Sequence, residues 1–285
     1  MKTLEVVVSF MAYCRLRRLS PKTVRGYDQH TKKLIELSPK FPPKPDVIQN
    51  FLATLSPYSA DAFYRTFRAA DNYAHKRFKT KNFMKSVTRP RVPKQIMPTI
   101  SQSQLITLAW RLETASPRNR AIIATLIDTG IRVGELCNLK RKDILQFEDR
   151  IIIHGKTGYR VAPISAISRE FLLALPEHPD GYLLYGTGKY KNTPLGETGV
   201  YKIVRRYLIR AGYEETKQFG GQVLRRSFGR FWLLDGGDMK SLSQTLGHAS
   251  IATTDKYYTP LLTEDVIEIH HKHTPGRVFE NAPKQ

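Results

Sequence analysis

Residues 222 to 257 read QVLRRSFGRFWLLDGGDMKSLSQTLGHASIATTDKY, and they gather an arginine pair, a histidine and a tyrosine on what read as helices. With the outlying Arg132 and Lys156, that set suits attack on a phosphodiester. In-line attack passes through a trigonal-bipyramidal state whose nonbridging oxygens gain charge, and without a metal that charge needs fixed cationic donors. Arginine meets the need, because its planar fork makes two parallel hydrogen bonds and stays protonated at any working pH. Arg132 and Arg225 are the candidates; the competing reading of either one alone is an ordinary surface charge.

The chain around this stretch is 285 residues long with a formal charge of +21, far from the neutral norm for an enzyme of small acidic or neutral substrates. A polyanion, nucleic acid first, is the partner that such a charge predicts. The excess is uneven: residues 1 to 98 carry +14 and the remainder +7, so the smaller part is the more basic. Cys14 and Cys137 are too few and too far apart for a disulfide framework or a zinc site, which fits a reducing cytoplasm. No apolar run approaches about 18 residues and the start has no signal-peptide core, so the sequence predicts neither a membrane span nor export. No cofactor is expected.

Upstream, residues 1–87 read as a domain of four short helices. Ser20 before Pro21 is a cap with proline at the first helical position, and Val24, Tyr27, Thr31, Leu34 and Ile35 then share a face. Asp46 is expected to cap a brief helix through Leu55. Ser59 is expected to cap another, on which Phe63, Phe67, Ala70, Tyr73 and Ala74 form the core stripe. The opposite face carries Arg65, Arg68, Lys76 and Arg77, which the charge assigns to DNA phosphates. Residues 88–99 hold three prolines and the basic Arg89, Arg91 and Lys94, an extended linker suited to lying along a duplex while the flanking domains close on it.

Residues 100–285 form the second domain. Ser101 or Ser103 opens one helix, and Ser116 with Pro117 opens another that Gly130 ends. The β-branched runs 150–154 and 159–163 read as a hairpin with Lys156 at its tip. GKTG at 155–158 is not a nucleotide-binding loop, since that motif needs a glycine five residues before Gly155 and Arg150 stands there. Further helices fall near 169–175 and 198–211. The fold class is therefore mainly α with a small β-sheet (α+β) in the second domain, behind an all-α first domain.

TGIRVGEL at 129–136 resembles the first arginine box of the tyrosine recombinases, the phage integrase family; QVLRRSF at 222–228 resembles the second, and LGHASIATTDKY at 246–257 the third. They stand in the family's order and spacing. SPKTVRGYDQHTKKL at 20–34 is similar to the opening of the family's helical core-binding domain. The resemblance implies that Tyr257 is the nucleophile that becomes linked to a 3′ phosphate, with the family interval of nine residues from His248 selecting it over Tyr258. It implies that Arg132 and Arg225 hold the phosphate, that His248 donates to a nonbridging oxygen or helps to take the tyrosyl proton, and that Lys156 is the general acid for the leaving 5′ oxygen. Independently, a phenol of pKa about 10 is a better leaving group than an aliphatic hydroxyl, so a phosphotyrosine stays reactive without ATP.

Gln222 departs from the family pattern, which usually has histidine or lysine there; glutamine donates a hydrogen bond but shuttles no proton. Arg226 is expected to touch DNA or support the pocket, and Glu135 to orient an active-site arginine from behind. His270, His271 and His273 do not suggest a metal, because their spacing spreads them over different helix faces. The family likeness implies four protomers on two DNA sites, a Holliday-junction intermediate, and a C-terminal helix near 263–272 that docks in cis or in trans through Val266, Ile267 and Ile269. The alternatives are a catalytically silent DNA-binding accessory protein or repressor, and a monomer of the type IB topoisomerase kind.

Overall fold

Four helices build the first of the two units into which the chain divides, Met1–Gln95 and Ile96–Gln285. The computed structural model describes residues 1–93, 97–145, 149–155, 158–214, 220–248, 250–258 and 263–273. In the first unit α1 spans Thr3–Leu16, α2 Pro21–Leu37, α3 Pro45–Ala53 and α4 Pro57–Phe78, followed by a 3-10 turn at Phe83–Ser86. Ser20 caps α2, its hydroxyl accepting from the Thr23 N–H at 3.2 Å.

The next two helices start earlier than the side-chain caps suggested. Lys44 precedes Pro45 and Ser56 precedes Pro57, so Asp46 lies in the first turn of α3 and Ser59 inside α4. Proline explains both corrections: it forces the preceding residue into an extended conformation and presets the first helical φ, which fixes the start without a cap. Nor are all four helices short, since α4 runs for 22 residues.

Phe67, Ala70 and Ala74 of α4 are fully buried, with Phe63 and Tyr73 packed beside them. Val6, Val7, Phe10, Met11 and Cys14 of α1 and Leu34 of α2 complete this core. Arg65, Arg68, Lys76 and Arg77 line the exposed side of α4. Residues 88–93 have no regular structure, but they are pinned to this unit. The Thr88 N–H donates to Gln49 Oε1 at 2.8 Å, Arg89 Nε to Asp61 Oδ1 at 3.0 Å, and the Tyr58 hydroxyl to the Pro93 carbonyl at 3.2 Å. Asp61 also holds Arg65 Nε at 2.9 Å, so one carboxylate joins α4 to the start of the proline-rich stretch. Arg91 is exposed, and Lys94 lies outside the described residues.

In the second unit the elements run α5 (Gln102–Glu113), α6 (Pro117–Thr129), α7 (Val133–Cys137), α8 (Lys142–Leu145), β1 (Arg150–Gly155), β2 (Gly158–Pro163), α9 (Ala166–Leu173), α10 (Glu197–Arg210), α11 (Gly221–Leu234), α12 (Met239–Leu246), α13 (Ile251–Tyr258) and α14 (Thr263–His273). Ser101, not Ser103, caps α5 and forms a reciprocal box with Gln104. Ser116 caps α6, and Gly130 ends it at φ 60°, the left-handed conformation that glycine takes without strain. Helix α6 is the centre of the unit: Ala121, Ile122, Ile123 and Leu126 are all fully buried. β1 and β2 pair antiparallel, with Ile151 opposite Ala162 and Ile153 opposite Arg160. A lone two-stranded ribbon is marginal in water; here Ile151 and Ile153 anchor it by joining the core. No helix among the described residues is long and apolar enough to cross a membrane.

Candidate active site

Three helix ends meet where the site residues gather. Helix α12 stops at Gly247, φ 65°, and the following His248 N–H returns to the Ser243 carbonyl at 3.0 Å, which fixes where the imidazole leaves the backbone. The last carbonyls of a helix lack partners within it and carry partial negative charge. Two arginines supply what is missing: Arg225 Nη2 donates to Leu246 O at 2.8 Å, and Arg160 Nη1 to Thr245 O at 3.1 Å. Arg225 Nη1 also donates to the carbonyl of Gly130, at the end of α6, at 2.6 Å. One buried guanidinium on α11 thus ties together the turns that begin the first and third sequence boxes. The close packing admits no extra carbon: a Cβ on Gly130 would stand 2.6 Å from Phe228 Cδ1, and one on Gly247 2.3 Å from Arg160 Nε.

Arg225 Nη2 is also 2.9 Å from His248 Nε2. A guanidinium has only protons to give, so Nε2 is the acceptor. Burial, then the charges of Arg225, Arg132 and Arg160, drive the His248 pKa down to about 4, and Glu135 only partly opposes them. The ring is therefore neutral near pH 7, and its Nδ1 lies 2.7 Å from the Thr254 hydroxyl on α13. Tyr257 stands on the same helix one turn further on; its side chain lies outside the described residues.

Arg132 immediately precedes α7, and Glu135 occupies the third position of that helix. The Glu135 carboxylate accepts from the Arg132 backbone N–H at 2.8 Å, from Arg132 Nη1 at 2.8 Å and from Arg160 Nη2 at 3.0 Å. Burial would raise its pKa, but that N–H and the two guanidinium groups outweigh it and hold the carboxyl below its ordinary value. The Arg132 side chain remains 44 % exposed beside this ion pair. Gln222 is exposed on the first turn of α11, three residues before Arg225, and Arg226 is half-buried beside it. Lys156 lies outside the described residues, between strands that end at Gly155 and resume at Gly158.

Two groups of residues were not anticipated. Arg160 and Thr254 join the cluster described above. On α10, Lys202, Arg205, Arg206 and Arg210 surround a groove of about 380 Å³ with Ile209. Its signal was present in the sequence as basic residues at i, i+4 and i+8 (202, 206 and 210), the spacing of one helical face.

At the far end of α11, Arg230 holds Asp265 of α14 in a two-pronged ion pair, with Nε 2.9 Å from Oδ2, and donates through Nη1 to the Ile100 carbonyl at 3.1 Å. Lys272 Nζ reaches Leu234 O at 3.1 Å. Helix α14 is thus fastened to its own chain, while Val266 and Ile267 are half-exposed.

Residues 95–264 match the model of the phage integrase family. Tyrosine recombinase XerA of Thermococcus onnurineus (strain NA1) is 27 % identical over 278 residues, covering 94 % of this chain and 95 % of the relative. Among solved structures, a lambda integrase (residues 75–356) dimer bound to a COC′ core site superposes with a TM-score of 0.73 at 19 % identity, covering 90 % of this chain and 95 % of that one. A lambda integrase tetramer bound to a Holliday junction gives 0.71 at 17 % identity, with coverage of 90 % and 77 %. These likenesses match the mainly helical architecture with its small antiparallel sheet, and the match over residues 95–264 means that the chain belongs to the phage integrase family, the tyrosine recombinases.

Proposed function

We propose that the chain is a site-specific DNA recombinase that cleaves and rejoins strands through a 3′-phosphotyrosyl intermediate. The observation that carries this most is the 2.9 Å hydrogen bond from Arg225 to His248, made by an arginine that also holds the carbonyl of Gly130. Three sequence boxes separated by about a hundred residues converge on one point. In the proposed reaction the Tyr257 oxygen attacks the scissile phosphorus, the bond to the 5′ oxygen breaks, and Lys156 protonates that oxygen. Arg132 and Arg225 stabilise the charge on the nonbridging oxygens. His248, whose Nε2 accepts from Arg225 and whose pKa is driven down to about 4, is a weak base; it holds that arginine beside the phosphate, and the tyrosyl proton leaves to water. Gln222 contributes a hydrogen bond to the phosphate. Attack by a 5′ hydroxyl from the partner strand then releases Tyr257, with no cofactor and no metal.

Duplex DNA lies in this reading against the exposed cations of α4, against Arg89, Arg91 and Lys94, and against the basic groove of α10. Arg226 supports the phosphate pocket. The first unit is the core-binding domain, residues 88–99 the linker, and the second unit the catalytic domain. Likeness to the lambda integrase tetramer on a Holliday junction supports four protomers on two sites. In that assembly Asp265 of α14 docks on Arg230 in cis, or on the same residue of a neighbour in trans.

A nicked suicide substrate carrying the recombination site tests the assignment. Wild type and Tyr258→Phe are expected to form an adduct that survives denaturation, and Tyr257→Phe is expected to form none. An adduct lost only in Tyr258→Phe would move the nucleophile by one residue. A tightly bound site with no adduct in any form would favour a silent DNA-binding protein.

A further inference from the structure

We propose that Thr254 is a positioning residue for strand cleavage, holding the His248 ring so that its Nε2 accepts from Arg225 and fixes that arginine in the site; this rests on the recombinase reading above. Thr254 is fully buried on α13, and its Oγ1 lies 2.7 Å from His248 Nδ1. Because Arg225 can only donate to Nε2, the neutral ring carries its single proton on Nδ1, and the threonine oxygen accepts it. The imidazole is thereby held at both nitrogens, in the tautomer that lets Nε2 accept from Arg225.

The contact is not the usual one for a threonine inside a helix, whose hydroxyl ordinarily turns back on the carbonyl four residues earlier. Thr129 does so onto Thr125 at 2.6 Å and Thr245 onto Ser241 at 2.9 Å, whereas the Thr254 hydroxyl meets the side chain of another segment. Its position adds a coupling. Thr254 and Tyr257 are three residues apart on one helix, so they move together. When α13 seats, the tyrosine and the group that aligns the His248–Arg225 pair arrive in the same motion. A helix displaced from the site loses both.

Thr254→Val keeps the shape and removes the hydroxyl, and Thr254→Ser keeps the hydroxyl. Single-turnover cleavage of the suicide substrate, with DNA affinity measured alongside, separates alignment from folding and binding. Thr254→Val is expected to slow cleavage about 10- to 100-fold at unchanged DNA affinity, on the scale by which metal-bound histidines lose activity without their outer hydrogen-bond partner, with Thr254→Ser within about threefold of wild type. Nitrogen-15 spectra of the histidine rings in DNA-free protein give an independent reading: His248 should be protonated on Nδ1 in wild type, and that proton should lose its protection from exchange in Thr254→Val. Wild-type cleavage by Thr254→Val, a serine variant no faster than the valine one, or an unchanged His248 resonance would each overturn the proposal. If the wild type itself forms no adduct, the recombinase reading and the catalytic role fall together, while the resonance still decides the hydrogen bond.

Discussion

Gly247 shows how much of the site depends on a single missing carbon. Its left-handed φ of 65° turns the chain at the end of α12, and Arg160 packs against the space where a side chain would stand. Gly247→Ala would strain the backbone by about 1 to 2 kcal/mol and push Arg160 from both Glu135 and the Thr245 carbonyl. We expect a lower melting temperature and a cleavage rate reduced more than the stability loss alone explains, read by calorimetry and by single-turnover kinetics. At this scale the sequence was uneven as a guide. Arg132, Arg225, His248 and Tyr257 stood out because each sits in a box whose neighbours are as informative as itself. Arg160 did not: on a strand it is one more alternate residue, and its partner Glu135 is 25 positions away. Thr254 was equally silent, since nothing in a helix pattern tells a threonine that bonds its own backbone from one that bonds the side chain of a histidine six residues upstream.

Among elements, the helices of both units were legible where a serine hydroxyl caps the turn before a proline or a glycine follows an apolar run, as at Ser20, Ser116 and Gly130. Where the residue before a proline makes no side-chain cap, as at Lys44 and Ser56, the start was misplaced by a few positions, because the preset φ of the proline acts alone. The hairpin was read correctly from its β-branched runs, although what fixes it is tertiary: Ile151 and Ile153 reach the core. Helix α10 is legible as a helix, but its basic face is masked in the sequence, because the charge excess is concentrated in the first domain. That face yields a prediction of its own. Neutralising Arg206 and Arg210 together to glutamine is expected to weaken DNA binding at every sequence tested and to lower the slope of log affinity against log salt by up to about two, because each phosphate contact contributes about one. The adduct chemistry at saturating DNA should be unaffected. A slope equal to that of wild type would remove the groove from the DNA surface.

For the molecule as a whole, two titrating groups oppose each other, the buried Asp71 in the first unit and the half-buried His248 in the second. Burial raises the Asp71 carboxyl in the first unit from its ordinary 3.8 to about 6, against the opposing N–H groups of Met84 and Phe83. Its contribution to stability is therefore present below about pH 4 and is lost as pH rises through about 6. His248 in the second unit is lowered from 6.5 to about 4, so its contribution is present above about 6.5 and is lost as pH falls through about 4. Between pH 4 and 6.5 the two units are expected to respond in opposite directions. Calorimetry across that window, repeated on Asp71→Asn, should show the mutation flattening the pH dependence of the first unit only. A wild-type-like dependence in Asp71→Asn would show that another group governs it.

The carboxylate of Asp61 belongs to this same scale, since it grips Arg65 on α4 and Arg89 beyond it. Both arginines face outward with their charge already half spoken for by an internal counterion. The protein thus approaches any polyanion with a tempered surface, and each of those side chains must loosen an internal tie before it commits fully to a phosphate. Such a surface discourages indiscriminate adhesion along random duplex and leaves the choice of where to stop to contacts made only at the proper site.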